Sequence, residues 1–189
     1  MDLLSGIRLY AGRVILSEKA ARVKRKASYI NLNNVNNIGI AWNASRTEDF
    51  TALSRFYQKM KERNIEVSIL GYFQGKTLPD QYTAIRYLAC FKKKDLDLFY
   101  RPVVQEVNSF IKNRFDVLIN INFENLFPLL YVSALSEAGL KIGLYGSEAA
   151  SLPYDLMMEL TNSINVENYL EHILYYLEII NSGSVKTAV

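Results

Sequence analysis

Short runs rich in apolar and β-branched residues recur along the chain, separated by longer segments with helical spacing. Ile38-Gly39-Ile40-Ala41-Trp42 reads as a buried strand, and Ile65-Glu66-Val67-Ser68-Ile69-Leu70 as a second. A weaker run from Ile85 to Phe91 predicts a third strand. Asp116-Val117-Leu118-Ile119-Asn120-Ile121 is the clearest central strand, Lys141 to Tyr145 follows, and Tyr154 to Leu160 adds a last one. Between them lie predicted helices. The first runs from Ser45-Arg46-Thr47-Glu48, which has capping-box spacing, to about Arg63, with Asn64 as its stop. The next starts at Pro102 and ends near Arg114. A third spans 125–138 with Gly139 as its stop, and the last spans 166–180 with Leu170, Ile173, Leu174, Leu177 and Ile180 inward. Parallel strands need crossover helices, so this alternation predicts one open, three-layer α/β sheet, mainly parallel, of five or six strands, Rossmann-like or flavodoxin-like.

Residues 2–26 read as an amphipathic helix ahead of that domain. Leu3, Ile7, Tyr10 and Val14 recur at helical spacing, and Leu16, Ala20 and Val23 extend a drifting stripe. The polar stretch 31–37 reads as a linker. The expected division is therefore a helix at 1–30 and an α/β domain at 31–189.

Composition narrows the classes. The chain has 189 residues, 50% of them hydrophobic, which suits one domain able to bury its own core. Its one cysteine, Cys90, excludes an internal disulfide, and its one histidine, His172, leaves no His-rich metal site. No membrane span and no export signal are read, so a cytoplasmic, at most membrane-peripheral, location is expected. The net charge of +3 is unevenly spread. Residues 1–26 hold seven basic residues against Asp2 and Glu18, for +5, and the rest of the chain carries −2. The basic character thus belongs to one segment. Nucleic acid is not an expected partner. The stripe Leu3, Ile7, Tyr10 and Val14 is expected to dock on the domain or on a second copy of the chain, the commoner way to cover an apolar face. The alternative is attachment of residues 1–26 to an anionic membrane surface or a protein partner.

The runs Phe115 to Ile121, Phe127-Pro128-Leu129-Leu130-Tyr131, Leu135-Ser136-Glu137-Ala138 and Lys141-Ile142-Gly143 resemble a family of small Bacteroidetes proteins built on a domain of unknown function. Asn37 to Trp42, Leu70-Gly71-Tyr72, Lys93-Lys94-Asp95-Leu96, Tyr154 to Glu159 and Tyr176-Leu177 agree with it, so the resemblance spans nearly the whole chain. It implies an α/β fold and carries over no catalytic residue. A local likeness to the N-terminal half of heptosyltransferase-type glycosyltransferases covers 116–143 and implies fold alone, because the second nucleotide-binding domain of such enzymes is missing.

In open α/β sheets ligands sit beyond the carboxyl ends of the strands. Those ends supply Asn43, Ser45, Tyr72, Gln74, Asn122, Glu124, Tyr145 and Ser147 as candidate ligand-binding residues. Their commonplace role is in turns and caps. Gly143-Leu144-Tyr145-Gly146-Ser147 lacks the lysine of a P-loop and reads as a tight turn. Asp116 and Asp155 begin strands, at the wrong edge for a cleft, and read as structural. Cys90 sits among apolar neighbours and reads as an inert thiol. Asn120 interrupts an apolar strand, so its amide must be bonded, to a loop or to a ligand. No dense catalytic set, metal site or cofactor motif emerges. The leading expectation is a non-enzymatic binding or interaction module with a basic attachment helix. The alternative is an enzyme or sensor taking a nucleotide or sugar phosphate at the carboxyl edge.

Overall fold

The structure, a computed structural model, describes residues 3–146, 152–159 and 165–180. Six strands form one sheet: β1 Asn37–Asn43, β2 Glu66–Phe73, β3 Leu88–Lys92, β4 Val117–Ile121, β5 Leu140–Leu144 and β6 Leu156–Met158. Every pairing is parallel, in the order β3-β2-β1-β4-β5-β6. The order reverses between β1 and β4, in which every residue but Asn37 is buried. Five helices accompany the sheet: α1 Leu3–Ala20, α2 Phe50–Glu62, α3 Gln105–Lys112, α4 Phe127–Leu135 and α5 Val166–Ile179.

Strand alternation divides the core into two faces. Ile38, Ile40, Trp42, Val117, Ile119 and Ile142 point toward α2 and α5, where Leu53, Met60, Tyr169, Ile173 and Leu177 meet them. Ala41, Leu70, Tyr72 and Leu118 point toward α3 and α4 and pack on Val107, Phe110, Leu129 and Val132. Gly39 lies on this second face because the Phe115 ring occupies the place of a side chain, 2.6 Å from where a Cβ would stand.

The expected architecture is met, with local corrections. The helix at 2–26 ends at Ala20. Beyond it Arg22, Lys24, Arg25 and Lys26 would crowd like charges onto successive turns. Arg25 leaves that crowd to pair with Asp155 at 2.5 Å. The stretch 31–37 is no free linker: Leu32 and Val35 are buried, and the Asn31 amide donates to the carbonyls of Glu178 and Ile180 at the end of α5. The capping box at Ser45 does not form, because a 3₁₀ turn at Thr47–Asp49 precedes α2 and the Ser45 hydroxyl serves β2 instead. Pro102 bridges to Leu96, and α3 starts at Gln105. Gly139 does not stop α4, which ends at Leu135. It lies where the chain enters β5, its amide donating to the Phe115 carbonyl. Leu160 lies outside the described residues, and the last strand is confined to Leu156–Met158.

The docking face of α1 is also not the expected one. Gly12 and Leu16 are buried, with Leu9 and Ala20 beside them, against Phe127, Tyr131 and Ala134 of α4. Gly12 permits this approach, since a Cβ there would collide with the Phe99 carbonyl oxygen. The stripe Leu3, Ile7, Tyr10 and Val14 faces outward.

Two glycines make opposite expectations. Gly39→Ala forces a methyl group into the Phe115 ring and should cost about 1–3 kcal/mol. Gly6→Ala in exposed helix, with no atom within 4 Å of its Cβ, should stabilise by about 0.5–1 kcal/mol. Urea unfolding of both variants measures the pair.

Candidate functional site

The carboxyl edge of the sheet gathers the expected polar residues into two separate groups. At the ends of β1 and β2, Asn43 is buried and its Oδ1 accepts from the Ser45 amide at 3.1 Å. The Ser45 hydroxyl accepts from the Gln74 amide at 2.9 Å. Tyr72 lies inside β2, which continues to Phe73, and its ring packs on Phe91 at 5.0 Å. Around this corner Trp42, Phe50 and Tyr82 form an aromatic cluster, and the Tyr82 hydroxyl donates to the Ala44 carbonyl. Arg46 is bound by Asp49 at 2.8 Å and Glu48 at 3.5 Å. The hydrogen bond it donates to Asp49 is the main reason that its guanidinium is held more firmly protonated, and Glu124 adds attraction from the β4 side. Aromatic rings thus fill this corner, and acidic groups surround its arginine.

The second group lies between β4 and β5. Their pairing ends at Ile119 with Ile142, although β4 continues to Ile121 and β5 to Leu144. The strand ends part around a cavity of about 200 Å³ bounded by Asn120, Phe123, Leu144, Tyr145, Gly146 and Tyr154. Asn122 and Asn125 contribute to its rim, as does Leu152. Asn122 is a cap: its amide donates to the Leu126 carbonyl and its Oδ1 accepts from the Leu126 amide, which fixes the lead into α4. Tyr145 is half exposed. Glu124 is exposed in the turn before α4. Ser147 lies outside the described residues.

Asn120 is the buried polar centre of this corner. Its Nδ2 donates to the Ser133 hydroxyl at 2.6 Å and to the Leu129 carbonyl at 3.3 Å. Its Oδ1 is buried without a partner. Its backbone carbonyl accepts from the Tyr169 hydroxyl at 3.2 Å. Tyr154 lays its ring on Gly143, where a Cβ would collide with it, and its hydroxyl lies beside Ser133 and Asn120. Burial holds the Tyr154 phenol well above the ordinary tyrosine range, so it is neutral. Sequence reading singled out Asn120 but missed Tyr154; the signal was Gly143, since a glycine inside a strand marks a close approach.

At the opposite edge the strand-start carboxylates are structural, as expected. Asp116 Oδ2 accepts from the Asn36 and Asn37 amides at 2.7 and 3.1 Å. Asp155 Oδ2 accepts from the Lys141 amide at 2.8 Å, and its Oδ1 from Arg25. The Lys141 ammonium is buried, donating to the Ala134 carbonyl at 3.1 Å. Desolvation first, and repulsion from Arg25 second, pull it down to about 8, against a weaker pull upward from Asp155. Desolvation pushes the Cys90 thiol up to about 11, which makes it inert. Among the described residues no group of His, Cys, Asp and Glu is placed to hold a metal ion.

The second surface of interest is α1. Leu3, Leu4, Ile7, Tyr10 and Val14 are 82%, 65%, 57%, 71% and 42% exposed; Arg8 is exposed on the same helix, and Arg22, Lys24 and Lys26 are exposed beyond its end. Among the described residues no helix is long and apolar enough to cross a membrane.

The molecule is thus a six-stranded parallel α/β domain carrying a docked basic helix. It belongs to a family of unknown function, DUF6913, whose model matches residues 9–180, from within α1 to just past the end of α5. No curated protein matches the chain.

Two measurements probe these buried groups. Tyr169→Phe strips the Asn120 carbonyl of its donor and should lower stability by about 1–3 kcal/mol in urea unfolding; an unchanged midpoint would show the bond to be dispensable. Lys141 gives a pH dependence of defined sign. Its folded pKa lies below its unfolded one, so the desolvation penalty is complete below about pH 8 and fades as pH rises toward 10.5. The stability advantage of Lys141→Met over the native protein should therefore shrink with pH above 8, by at most about 1.4 kcal/mol per unit. A difference independent of pH between 7 and 10 contradicts the assignment.

Proposed function

We propose that this protein is a non-catalytic binding module that α1 attaches to an anionic lipid surface. The observation that carries the reading is the double-sided nature of α1: one face is spent on α4, and the opposite face presents Leu3, Ile7, Tyr10 and Val14 to the outside. An interfacial helix needs an apolar stripe and basic flanks. At 100° per residue Arg13 stands to one side of the stripe and Arg8 to the other, and Arg22, Lys24 and Lys26 extend the positive segment. The +5 charge of residues 1–26 complements anionic headgroups. The same charge opposes self-association, because pairing two stripes would bring two +5 segments together. Each basic residue near such a surface is worth roughly 1 kcal/mol, and each fully buried large apolar side chain roughly 1.5–3 kcal/mol.

The reading puts the protein on the cytoplasmic leaflet, which carries anionic lipids and faces a compartment that keeps a thiol such as Cys90 reduced. The nucleotide or sugar-phosphate alternative loses support at the ends of β1 and β2, where Trp42, Phe50 and Tyr82 fill the corner and Glu48, Asp49 and Glu124 surround Arg46. The glycosyltransferase likeness over 116–143 falls on β4, α4 and the start of β5, which are elements of the fold.

Co-sedimentation with phosphatidylserine-containing vesicles tests the attachment. Deleting residues 1–26 is unsuitable, since Leu16 and Arg25 belong to the packed structure. Ile7→Asn with Tyr10→Asn alters only exposed positions. It should weaken vesicle binding at least about tenfold while leaving the unfolding midpoint unchanged. Raising salt from about 0.1 M to 1 M shortens the screening length from about 10 to 3 Å and should also weaken it. Equal binding by the double variant, or equal binding to phosphatidylcholine alone, refutes the proposal. A dimer that the double variant abolishes, without vesicle binding, replaces it by self-association.

A further inference from the structure

The parted ends of β4 and β5 carry a second inference, independent of the attachment reading. Three properties of the cavity define what would fill it. Its volume, about 200 Å³, is below the roughly 300 Å³ at which drug-sized ligand pockets begin, so the occupant is a single ring. Its described lining is asparagine, aromatic, leucine and glycine, with no charged side chain. Its polar centre, Asn120, is 1% exposed and has both amide hydrogens committed to Ser133 and Leu129. The free Oδ1 lacks a donor, and a buried acceptor without one is unfavourable. Phe123, Tyr145 and Tyr154 supply aromatic surface around it.

We propose that the cavity between β4 and β5 binds an uncharged, single-ring molecule that presents an N–H or O–H to Oδ1 of Asn120. A pyrimidine base and a monosaccharide both have this chemistry. A phosphate-bearing ligand does not, because the described lining offers no cation and Glu124 stands in the adjoining turn. Tyr154 also lines the cavity.

The experiment is a thermal-shift titration of the full chain with uracil and, separately, with glucose at millimolar concentrations. Uridine 5′-phosphate is the charged comparison, and 1,3-dimethyluracil and fully O-methylated glucose lack the donor. At least one of uracil and glucose should raise the melting temperature saturably, and its methylated partner should bind at least about tenfold more weakly. A response to uracil alone assigns a base-like ligand, and one to glucose alone a sugar. Gly146→Val places bulk at the cavity wall, where a Cβ meets nothing within 4 Å, so the variant should fold normally and lose the response. Four results overturn the proposal: no saturable shift with either probe, an undiminished shift in a folded Gly146→Val, equal binding of the methylated compound, or a shift with uridine 5′-phosphate alone. The first of these would mean that water satisfies Asn120.

Discussion

The cover that α4 requires governs much of this molecule. Phe127–Leu135 is apolar almost all the way round. A helix of that kind has no face to give to water and must be enclosed. The sheet encloses one side, where Leu129 and Val132 meet Leu118 and Ala41. Phe127, Tyr131 and Ala134 remain on the other, and α1 covers them with Leu16, Leu9 and Ala20. The Lys19 ammonium donates to the Tyr131 hydroxyl at 3.1 Å, which secures the far end of the contact. Once that face of α1 is committed, its other apolar positions have nowhere to go but outward. The exposed stripe is thus a consequence of covering α4 with a helix that is apolar on two sides.

The same constraint explains what the sequence revealed and what it concealed. The sheet was legible because a buried parallel strand writes itself as a short β-branched run, and 38–42, 65–70, 116–121 and 141–145 all lie within a residue or three of strands found there. The docking face of α1 was not legible. Leu3, Ile7, Tyr10 and Val14 form the bulkier stripe, and bulk is what periodicity weighs. The true contact is made by Gly12 and Ala20 around Leu16, small residues chosen by closeness of approach to Phe99 and α4. Nor was the burial of 31–37 legible. Its asparagines look like a linker until Asn31 is seen to cap α5, a bond between residues far apart in sequence. The strand-end rule identified Asn122 and Tyr145 at the cavity, yet it also named Asn43, Ser45 and Gln74, which bond one another. No local pattern separates a turn asparagine from a cavity asparagine.

Glycine at 143 ties the cavity to the sheet. It sits inside β5, where a side chain would ordinarily pack on α4, and Tyr154 fills that space from the next turn of chain. The phenol then reaches Asn120 and Ser133. A larger residue at 143 would expel the ring and leave this corner without its tyrosine. On the other side of the sheet Tyr169 answers with a hydrogen bond to the Asn120 carbonyl. A strand residue whose side chain and backbone are both held by groups from outside the sheet is more rigid than pairing alone would make it, which favours a fixed acceptor over an adaptable one.

Helix α4 stands between the two surfaces. Its inner side supplies Ser133 and the Leu129 carbonyl to Asn120, and its lead-in is fixed by Asn122 at the cavity rim. Its outer side supplies Phe127, Tyr131 and Ala134 to α1. Both sets lie within the nine residues of one helix. A close-packed interior yields in discrete steps and not by continuous deformation. Repacking the α1 side of α4 is therefore expected to disturb the hydrogen bonds of Asn120 as well.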